Sequence, residues 1–353
     1  MKNILVTGGC GFIGANFIHF LFSEAGFDGR VINVDNLTYA GNPENLVDLP
    51  EKAKAQYHFV KADICDEALM ANVFDDYHID TICHFAAESH VDRSIVTPDA
   101  FIRTNVNGTF VLLELARRRL DDLTLFHHVS TDEVFGELGD EGAFSETTPY
   151  NPSSPYSASK AASDHLVRAY SRTYDMPVTI SNCSNNYGPY QFPEKLIPLI
   201  FLNALEGKPL PVYGDGKNVR DWLYVKDHCR AIWTIMQKGK RGETYNVGGR
   251  CEMTNIDVVT TLCRVLDDTV PPLKIGERES LITFVKDRPG HDFRYAIDAS
   301  KLERELDWAP AESFETGMRQ TIEWYLGHKG WVDRVVSGEY QSWADQHYHE
   351  GRK

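Results

Sequence analysis

No Cys-x-x-Cys pair occurs in this chain. Its seven cysteines (Cys10, Cys65, Cys83, Cys183, Cys229, Cys251 and Cys263) are odd in number and scattered. Such a set argues against a disulfide framework and reads as reduced thiols in a cytoplasm. The histidines fall in no zinc-ligand spacing, so no metal is expected. Long apolar runs are missing as well. The longest, such as residues 196–202, are far too short to span a bilayer. The chain enters an apolar stretch directly after Met1-Lys2-Asn3, so no signal peptide is expected. Basic charge is in deficit: 36 Lys+Arg against 51 Asp+Glu give a formal net charge of -15. That balance argues against nucleic acid or an anionic membrane as partner. An anionic substrate would need a local basic pocket. Internal repeats and low-complexity segments are absent.

What is present is ordinary for a soluble globular protein. With 353 residues, 42% hydrophobic and 25% charged, the chain can build two domains, or one large domain with a lobe. Residues 3–7 read as a short buried strand and 15–22 as an apolar helix. Between them stands Gly8-Gly9-Cys10-Gly11-Phe12-Ile13-Gly14. Glycines between a strand and a helix permit a tight turn and let backbone approach a pyrophosphate, which the helix N-terminus then faces. Residues 30–34 read as a second strand. Asp35 ends it, 21 residues after Gly14. A carboxylate there accepts hydrogen bonds from a ribose 2'-hydroxyl and repels a 2'-phosphate, which favours NAD over NADP. The plainer alternative is a turn aspartate before Asn36.

Strands are expected over 57–60, 80–85, 123–129 and 177–183, and helices over 66–77, 98–119 and 155–174. Asp63 follows the third strand. The fourth ends in Ala86-Ala87-Glu88-Ser89-His90, whose small residues would let a nicotinamide ribose pass. The alternation predicts an α/β fold: a Rossmann-type, doubly wound parallel sheet. Regularity falls after residue 184, where proline and glycine recur. The expected division is an NAD-binding domain over 1–184, the chain crossing back to it near 221–248, and a smaller C-terminal α/β lobe for substrate over 185–353. Within the lobe, 221–225 and 243–247 read as extended. Residues 226–237, 255–266, 300–306 and 313–326 read as helices, and 285–295 as a polar loop.

The chemistry concentrates in residues 130–160. Ser130-Thr131-Asp132-Glu133 closes the fifth strand, and the carboxyl ends of parallel strands face the ligand crevice. Ser154-Pro155 reads as a helix cap and first turn, which puts Tyr156 and Lys160 one turn apart on one face. An ammonium near a phenol lowers its pKa, and a phenol so tuned can act as a base. A lone Tyr-x-x-x-Lys is more often a packed tyrosine and a solvated lysine. Here the glycine loop, Asp35 and the acidic pair stand beside it.

Taken together, these motifs resemble the extended short-chain dehydrogenase/reductase family, and within it the nucleotide-sugar dehydratases that act on dTDP-glucose. The resemblance runs from Ile4 to about Tyr325. Besides the glycine loop and Tyr156-Ser157-Ala158-Ser159-Lys160, it rests on Asp35-Asn36-Leu37-Thr38-Tyr39-Ala40-Gly41-Asn42 and Phe85-Ala86-Ala87-Glu88-Ser89-His90-Val91-Asp92-Arg93-Ser94. Ser130-Thr131-Asp132-Glu133-Val134, Asn182-Cys183-Ser184-Asn185-Asn186-Tyr187-Gly188-Pro189, Arg220-Asp221-Trp222-Leu223-Tyr224-Val225 and Asp287-Arg288-Pro289-Gly290-His291-Asp292 complete it.

The resemblance implies oxidation at C4 of the sugar, loss of water across C5 and C6, and return of the hydride to C6. It makes Tyr156 the base for the 4-hydroxyl, with Lys160 lowering its pKa. Glu133 becomes the base at C5, Asp132 the acid at the 6-hydroxyl, and Thr131 the partner of O4. NAD is implied on Gly8, Gly11, Phe12, Ile13, Gly14, Asp35, Asn36, Thr38, Asp63, Ile64, Ala86 and Ala87, with Tyr156 and Lys160. The nucleotide sugar is implied on Ser89, His90, Asn185, Lys195, Leu196, Arg220, Asn255, Arg288, His291 and Tyr295. Arg294 is a further candidate for the diphosphate. The family also implies a homodimer through a four-helix bundle, with 98–119 and 155–174 as the helices. Cys10 departs from the usual alanine and should fit if it points away from the pyrophosphate. The acidic loop 137–146 is shorter than usual, which puts the lid over the sugar in question. Rival readings are another base such as UDP or GDP, a 4-epimerase, or a non-catalytic NAD sensor.

Overall fold

A computed structural model describes residues 1–287 and 292–338. Its strands in chain order are β1 (Asn3–Thr7), β2 (Arg30–Asp35), β3 (Tyr57–Lys61), β4 (Thr81–His84), β5 (Leu125–Thr131), β6 (Val178–Cys183), β7 (Asn185–Tyr187), β8 (Leu210–Tyr213), β9 (Val219–Tyr224), β10 (Thr244–Val247), β11 (Glu252–Thr254) and β12 (Ile282–Val285). Seven of them form one parallel sheet in the order β3-β2-β1-β4-β5-β6-β10. β10 reaches the sheet after the chain has left it, with Thr244 opposite Ile180.

Alternation along the buried strands splits the core between the two faces, since side-chain direction reverses at each residue. Leu5, Ile32, Ile82 and Phe126 belong to one cluster, Ile4, Val6, Val31 and Cys83 to the other. A third cluster, built around Tyr187, Trp222, Leu262 and Phe314, forms the core of the C-terminal elements. The sheet order reverses between β1 and β4, and the crevice at the strand ends there is where ligands dock in open α/β sheets.

Helix Pro155–Tyr174 has the bounds its sequence signals. Ser154 and Ser157 make a reciprocal capping box, Pro155 opens the first turn, and Asp175 closes the helix with φ 54°. The expected helix 98–119 is instead three pieces: Pro98–Phe101, a π-wound stretch Ile102–Gly108, and Thr109–Arg117. Tertiary bonds account for the difference. Asn105 accepts from the Glu88 amide at 2.8 Å and donates to the Glu88 carbonyl and to Ser159 Oγ. A Cβ on Gly108 would stand 2.4 Å from Ile64 Cδ1, so this turn presses on the loop after β3. π-bulges of this kind concentrate near functional sites.

Four short strands were not expected. β7 and β11 flank β9, and β8 pairs with β12. Each has three or four residues, too few for a hydrophobic period to register. No helix among the described residues is long and apolar enough to cross a membrane.

Candidate active site

Every residue expected to hold the cofactor lines one cleft of about 350 Å³ at the strand ends, a volume typical of ligand sites. Gly8 has φ 72°, and a Cβ there would lie 2.8 Å from Ala86 backbone atoms. A Cβ on Gly14 would meet the Gly8 carbonyl at 2.4 Å. The loop is thus packed too closely for side chains at these two positions. Gly11, the N-cap of helix Phe12–Ser23, offers no side-chain acceptor to the first-turn amides. Those amides suit an anion. Asp35 stands at the end of β2, its Oδ1 accepting from the Leu37 amide at 2.8 Å and its Oδ2 from the Cys10 amide at 2.9 Å. Burial raises its pKa, and the two amides oppose that. The Cys10 side chain packs into the core beneath the loop, its Sγ accepting from Asn33 Nδ2 at 3.4 Å. It therefore does point away from the cleft. These amides, glycines and the placed carboxylate fit a dinucleotide of the NAD type.

Thr131, Asp132, Glu133, Tyr156 and Lys160 line the same cleft. Thr131 ends β5, and its Oγ1 caps a single 3-10 turn, Asp132–Phe135, by accepting from the Glu133 amide at 3.3 Å. The Asp132 carboxyl is buried and its pKa lies well above the ordinary carboxylate range, first through burial, then through the charges of Glu133 and Asp221. Its Oδ1 accepts from Thr131 Oγ1 at 3.3 Å, while Oδ2 is enclosed with no hydrogen-bond partner. Burial and the neighbouring carboxyl thus favour the protonated form of Asp132 over that of Glu133, the split such pairs use for acid and base work.

The expectation for Tyr156 needs correction. Among the protein's own groups its phenol lies well above its usual value, through burial first and the Glu133 charge second; a Thr131 hydrogen bond opposes them. Lys160 does not by itself reverse this. Its ammonium donates to the Val129 carbonyl at 2.9 Å, and burial lowers its own pKa.

The substrate residues divide. Ser89, Asn185 and Lys195 line the cleft. His90 lies at its rim, its Nε2 3.5 Å from Glu194 Oε2. Leu196 opens helix Leu196–Glu206 and packs against the C-terminal core. Asn255 starts helix Asn255–Thr269 outside the cleft lining. Arg220 is also outside the lining: its guanidinium donates to the carbonyls of Val219, Asp292 and Phe293 and covers the Tyr295 ring at 4.3 Å. Tyr295 in turn donates to Asp292. Arg294 pairs with Glu252 and donates to the carbonyls of Gly139 and Gly142, so it fastens the acidic loop rather than facing the cleft. Arg288 and His291 lie outside the described residues.

Tyr39, Glu88, Thr104, Gln191 and Glu194 also line the cleft and were not singled out. Tyr39 and Glu88 stand inside motifs already quoted, so proximity could have found them. Thr104 sits in the π-wound stretch, which no periodicity announced.

Residues 5–321 match the family described as GDP-mannose 4,6 dehydratase. This chain belongs to that family. Within it, the dTDP-glucose 4,6-dehydratase of Shigella flexneri is 56% identical over 99% of both chains. The dTDP-glucose 4,6-dehydratase 1 of Escherichia coli K12 is 57% identical, again over 99% of both. Among solved structures, dTDP-glucose 4,6-dehydratase from Streptomyces venezuelae with NAD and TYD bound superposes with a TM-score of 0.86 at 45% identity, covering 95% of this chain and 100% of that one. UDP-glucose 4-epimerase from Thermotoga maritima follows the same fold with a TM-score of 0.81 at 29% identity, covering 92% and 99%. The match to the dehydratase family spans the whole cleft, from β1 to the last turn but one of helix Phe314–Gly327.

Proposed function

We infer that this chain dehydrates dTDP-glucose to dTDP-4-keto-6-deoxy-D-glucose, with NAD recycled inside the site. The observation that carries this reading is the pair of adjacent carboxyls, buried Asp132 with its pKa pushed up and Glu133 beside it, lining an NAD-type cleft. Its high likeness to named dTDP-glucose 4,6-dehydratases supports it. A 4-epimerase has no leaving hydroxyl to protonate and no use for that pair.

When bound, NAD would supply a hydride acceptor for C4, a hydride donor for C6 and positive charge to the cleft. Tyr156 takes the 4-hydroxyl proton. Thr131 orients O4, and Lys160 adds positive charge one turn along the same helix. The 4-ketone acidifies C5, where Glu133 removes the proton and, after exchange with solvent, later returns one. Asp132 protonates the 6-hydroxyl as it leaves. Lys195, beside the N-terminus of a helix that no side chain caps, suits the diphosphate, with Asn185 near it. NAD binding falls to residues 1–184 with the returning β10, and substrate binding to the remainder. Arg220 serves the substrate by holding the carbonyls of Val219, Asp292 and Phe293, with the Tyr295 ring against its guanidinium. Mass spectrometry of dTDP-glucose incubated with the protein in heavy water tests the reading. The expected product is lighter by one water and carries deuterium at C5, without net NADH. An unchanged mass with a new stereoisomer would overturn it in favour of an epimerase.

The protein works in the cytoplasm, where its seven unpaired thiols are stable. It pairs as a homodimer through the helical elements between 91 and 117 and helix Pro155–Tyr174. Ile95, Val96, Ile102, Phe110 and Tyr174 leave apolar surface exposed along them. Sedimentation should give twice the mass of one chain, and a monomer at micromolar concentration would refute the pairing.

Asp132 also sets a stability prediction. Its folded pKa is raised, so its contribution is fully present below the unfolded carboxylate value and is lost as pH rises toward the folded one. At neutral pH it is therefore a cost. Asp132→Asn should be inactive in dehydration yet more stable by about 0.5–2 kcal/mol, a rise in Tm of roughly 1–3 °C. Calorimetry should show the advantage at neutral pH and its loss near pH about 4. Equal melting of the two proteins at neutral pH would contradict it.

A further inference from the structure

The mechanism leaves one group of buried polar side chains without a task. It lies where helix Pro155–Tyr174 packs on β5 and β6. Asp164 of that helix is 0% exposed. Its Oδ2 accepts from the Tyr150 hydroxyl at 2.7 Å and from Asn182 Nδ2 at 3.3 Å, and its Oδ1 lies 3.2 Å from His128 Nε2. Arg168, one turn further along the helix, donates to the Tyr150 hydroxyl at 2.7 Å and to Thr244 Oγ1 at 3.3 Å. Asn182 stands on β6 opposite Ser130. Its Nδ2 has two hydrogens, and both are used: the second bond goes to the Thr131 carbonyl at 3.0 Å.

Such a group adds little to a core. Buried polar atoms are costly unless every one is bonded. Here Asn182 Oδ1 and His128 Nδ1 are enclosed with no hydrogen-bond partner. Apolar side chains of similar volume would hold the helix to the sheet at lower cost.

We propose that Asp164 is a positioning residue for the dehydration: through Asn182 it fixes the helix that carries Tyr156 and Lys160 against the strand end that carries Thr131. This rests on the dehydratase reading above. The helix has one direct attachment to the catalytic strand, from the Lys160 ammonium to the Val129 carbonyl at 2.9 Å. A single attachment leaves the helix free to pivot about it. Asp164 stands one turn beyond Lys160 on the same face, and its link ends on the Thr131 carbonyl. Two attachments one turn apart fix both rotation and tilt. Tyr156, one turn before Lys160, is set by the same two points. Its phenol and the Thr131 hydroxyl meet the sugar at one oxygen, so the spacing between them decides the first step. A carboxylate suits the anchor. Burial works against its charge, yet His128, then Lys160 and Tyr150, hold the Asp164 pKa below its ordinary value. Bonds to an ionised acceptor are the stronger kind.

A double-mutant cycle on the NAD-loaded protein tests this, with turnover counted per bound NAD so that unfolded chains drop out. Asp164→Ala and Asn182→Ala should each lower kcat about 10–10²-fold, the scale of a misplacement of about 1 Å. The double variant should be within about twofold of the slower single, because one link is broken twice. KM for dTDP-glucose should stay within about threefold of the wild type. Asp164→Asn keeps one acceptor oxygen, so its kcat should fall between those of Asp164→Ala and the wild type. It replaces Asp164→Ala in the cycle if that variant fails to load NAD. Unchanged kcat per loaded site, even with a lower Tm, assigns Asp164 to the core alone and overturns the proposal. Losses that multiply in the double variant, or a raised KM with kcat intact, overturn it too. A wild-type chain that forms no dehydrated product defeats the underlying reading. Wild-type turnover with any of the three contrary results defeats the positioning role only.

Discussion

Glu133→Gln binds NAD and dTDP-glucose but turns over about 10²–10⁴-fold more slowly than the wild type. The glutamine is nearly the same size, so the cleft keeps its shape. What it loses is the base at C5. Oxidation at C4 depends on Tyr156 instead, so mixing the variant with substrate should still produce the absorbance of reduced nicotinamide. Because the hydride cannot move on, that signal should persist rather than decay. Deuterium should not enter C5. The Glu133 charge is also the largest electrostatic influence holding the Tyr156 phenol up. Removing it lowers the phenol pKa, so the pH dependence of the C4 oxidation should move to lower pH. Unchanged turnover, or deuterium at C5 at the wild-type rate, would rule out Glu133 as the base.

Tyr156→Phe should be affected at an earlier point. Without the phenol oxygen nothing takes the 4-hydroxyl proton, and no reduced nicotinamide should appear even in a single turnover. The loss should again be of order 10²–10⁴-fold. The ring packs edge-on to Phe101, with centroids 6.2 Å apart, and phenylalanine preserves that contact. The variant should therefore fold and retain NAD. The two substitutions give opposite absorbance records from similar losses of turnover. If Tyr156→Phe accumulated reduced nicotinamide as Glu133→Gln does, the assigned order of steps would be wrong.

The parts of this site that were legible in the sequence are those set by local chemistry. A glycine loop between strand and helix, an aspartate at a strand end and a tyrosine one turn before a lysine all owe their geometry to neighbours in the chain. The first six strands were legible for the same reason, since buried parallel strands leave continuous apolar runs. What could not be read was how distant segments use shared groups. Arg220 and Arg294 are ordinary phosphate candidates on paper, yet in the fold backbone carbonyls from residues 139–142 and 292–293 receive their donors. The phenol of Tyr156 likewise depends on burial and on Glu133, two influences that no spacing rule contains. The split of helix 98–119 came from Asn105 reaching across to Glu88 and Ser159, contacts made 17 and 54 residues away.

That π-wound stretch also sets where the chain can lose a residue. A π turn holds about one residue more than the α turn it replaces. Removing one residue between Ile102 and Gly108, so that regular winding resumed, would leave Leu112, Leu113 and Ala116 against the sheet and Phe110 outward. What it would undo is local: the place of Thr104 in the cleft wall and the bonds of Asn105 to Glu88 and Ser159. The same loss between Thr109 and Val111, in regular α winding, would turn every later residue of the helix by about 100° and swing Leu112, Leu113 and Ala116 away from the sheet. The first deletion should weaken cofactor binding and spare the fold; the second should cost the fold itself.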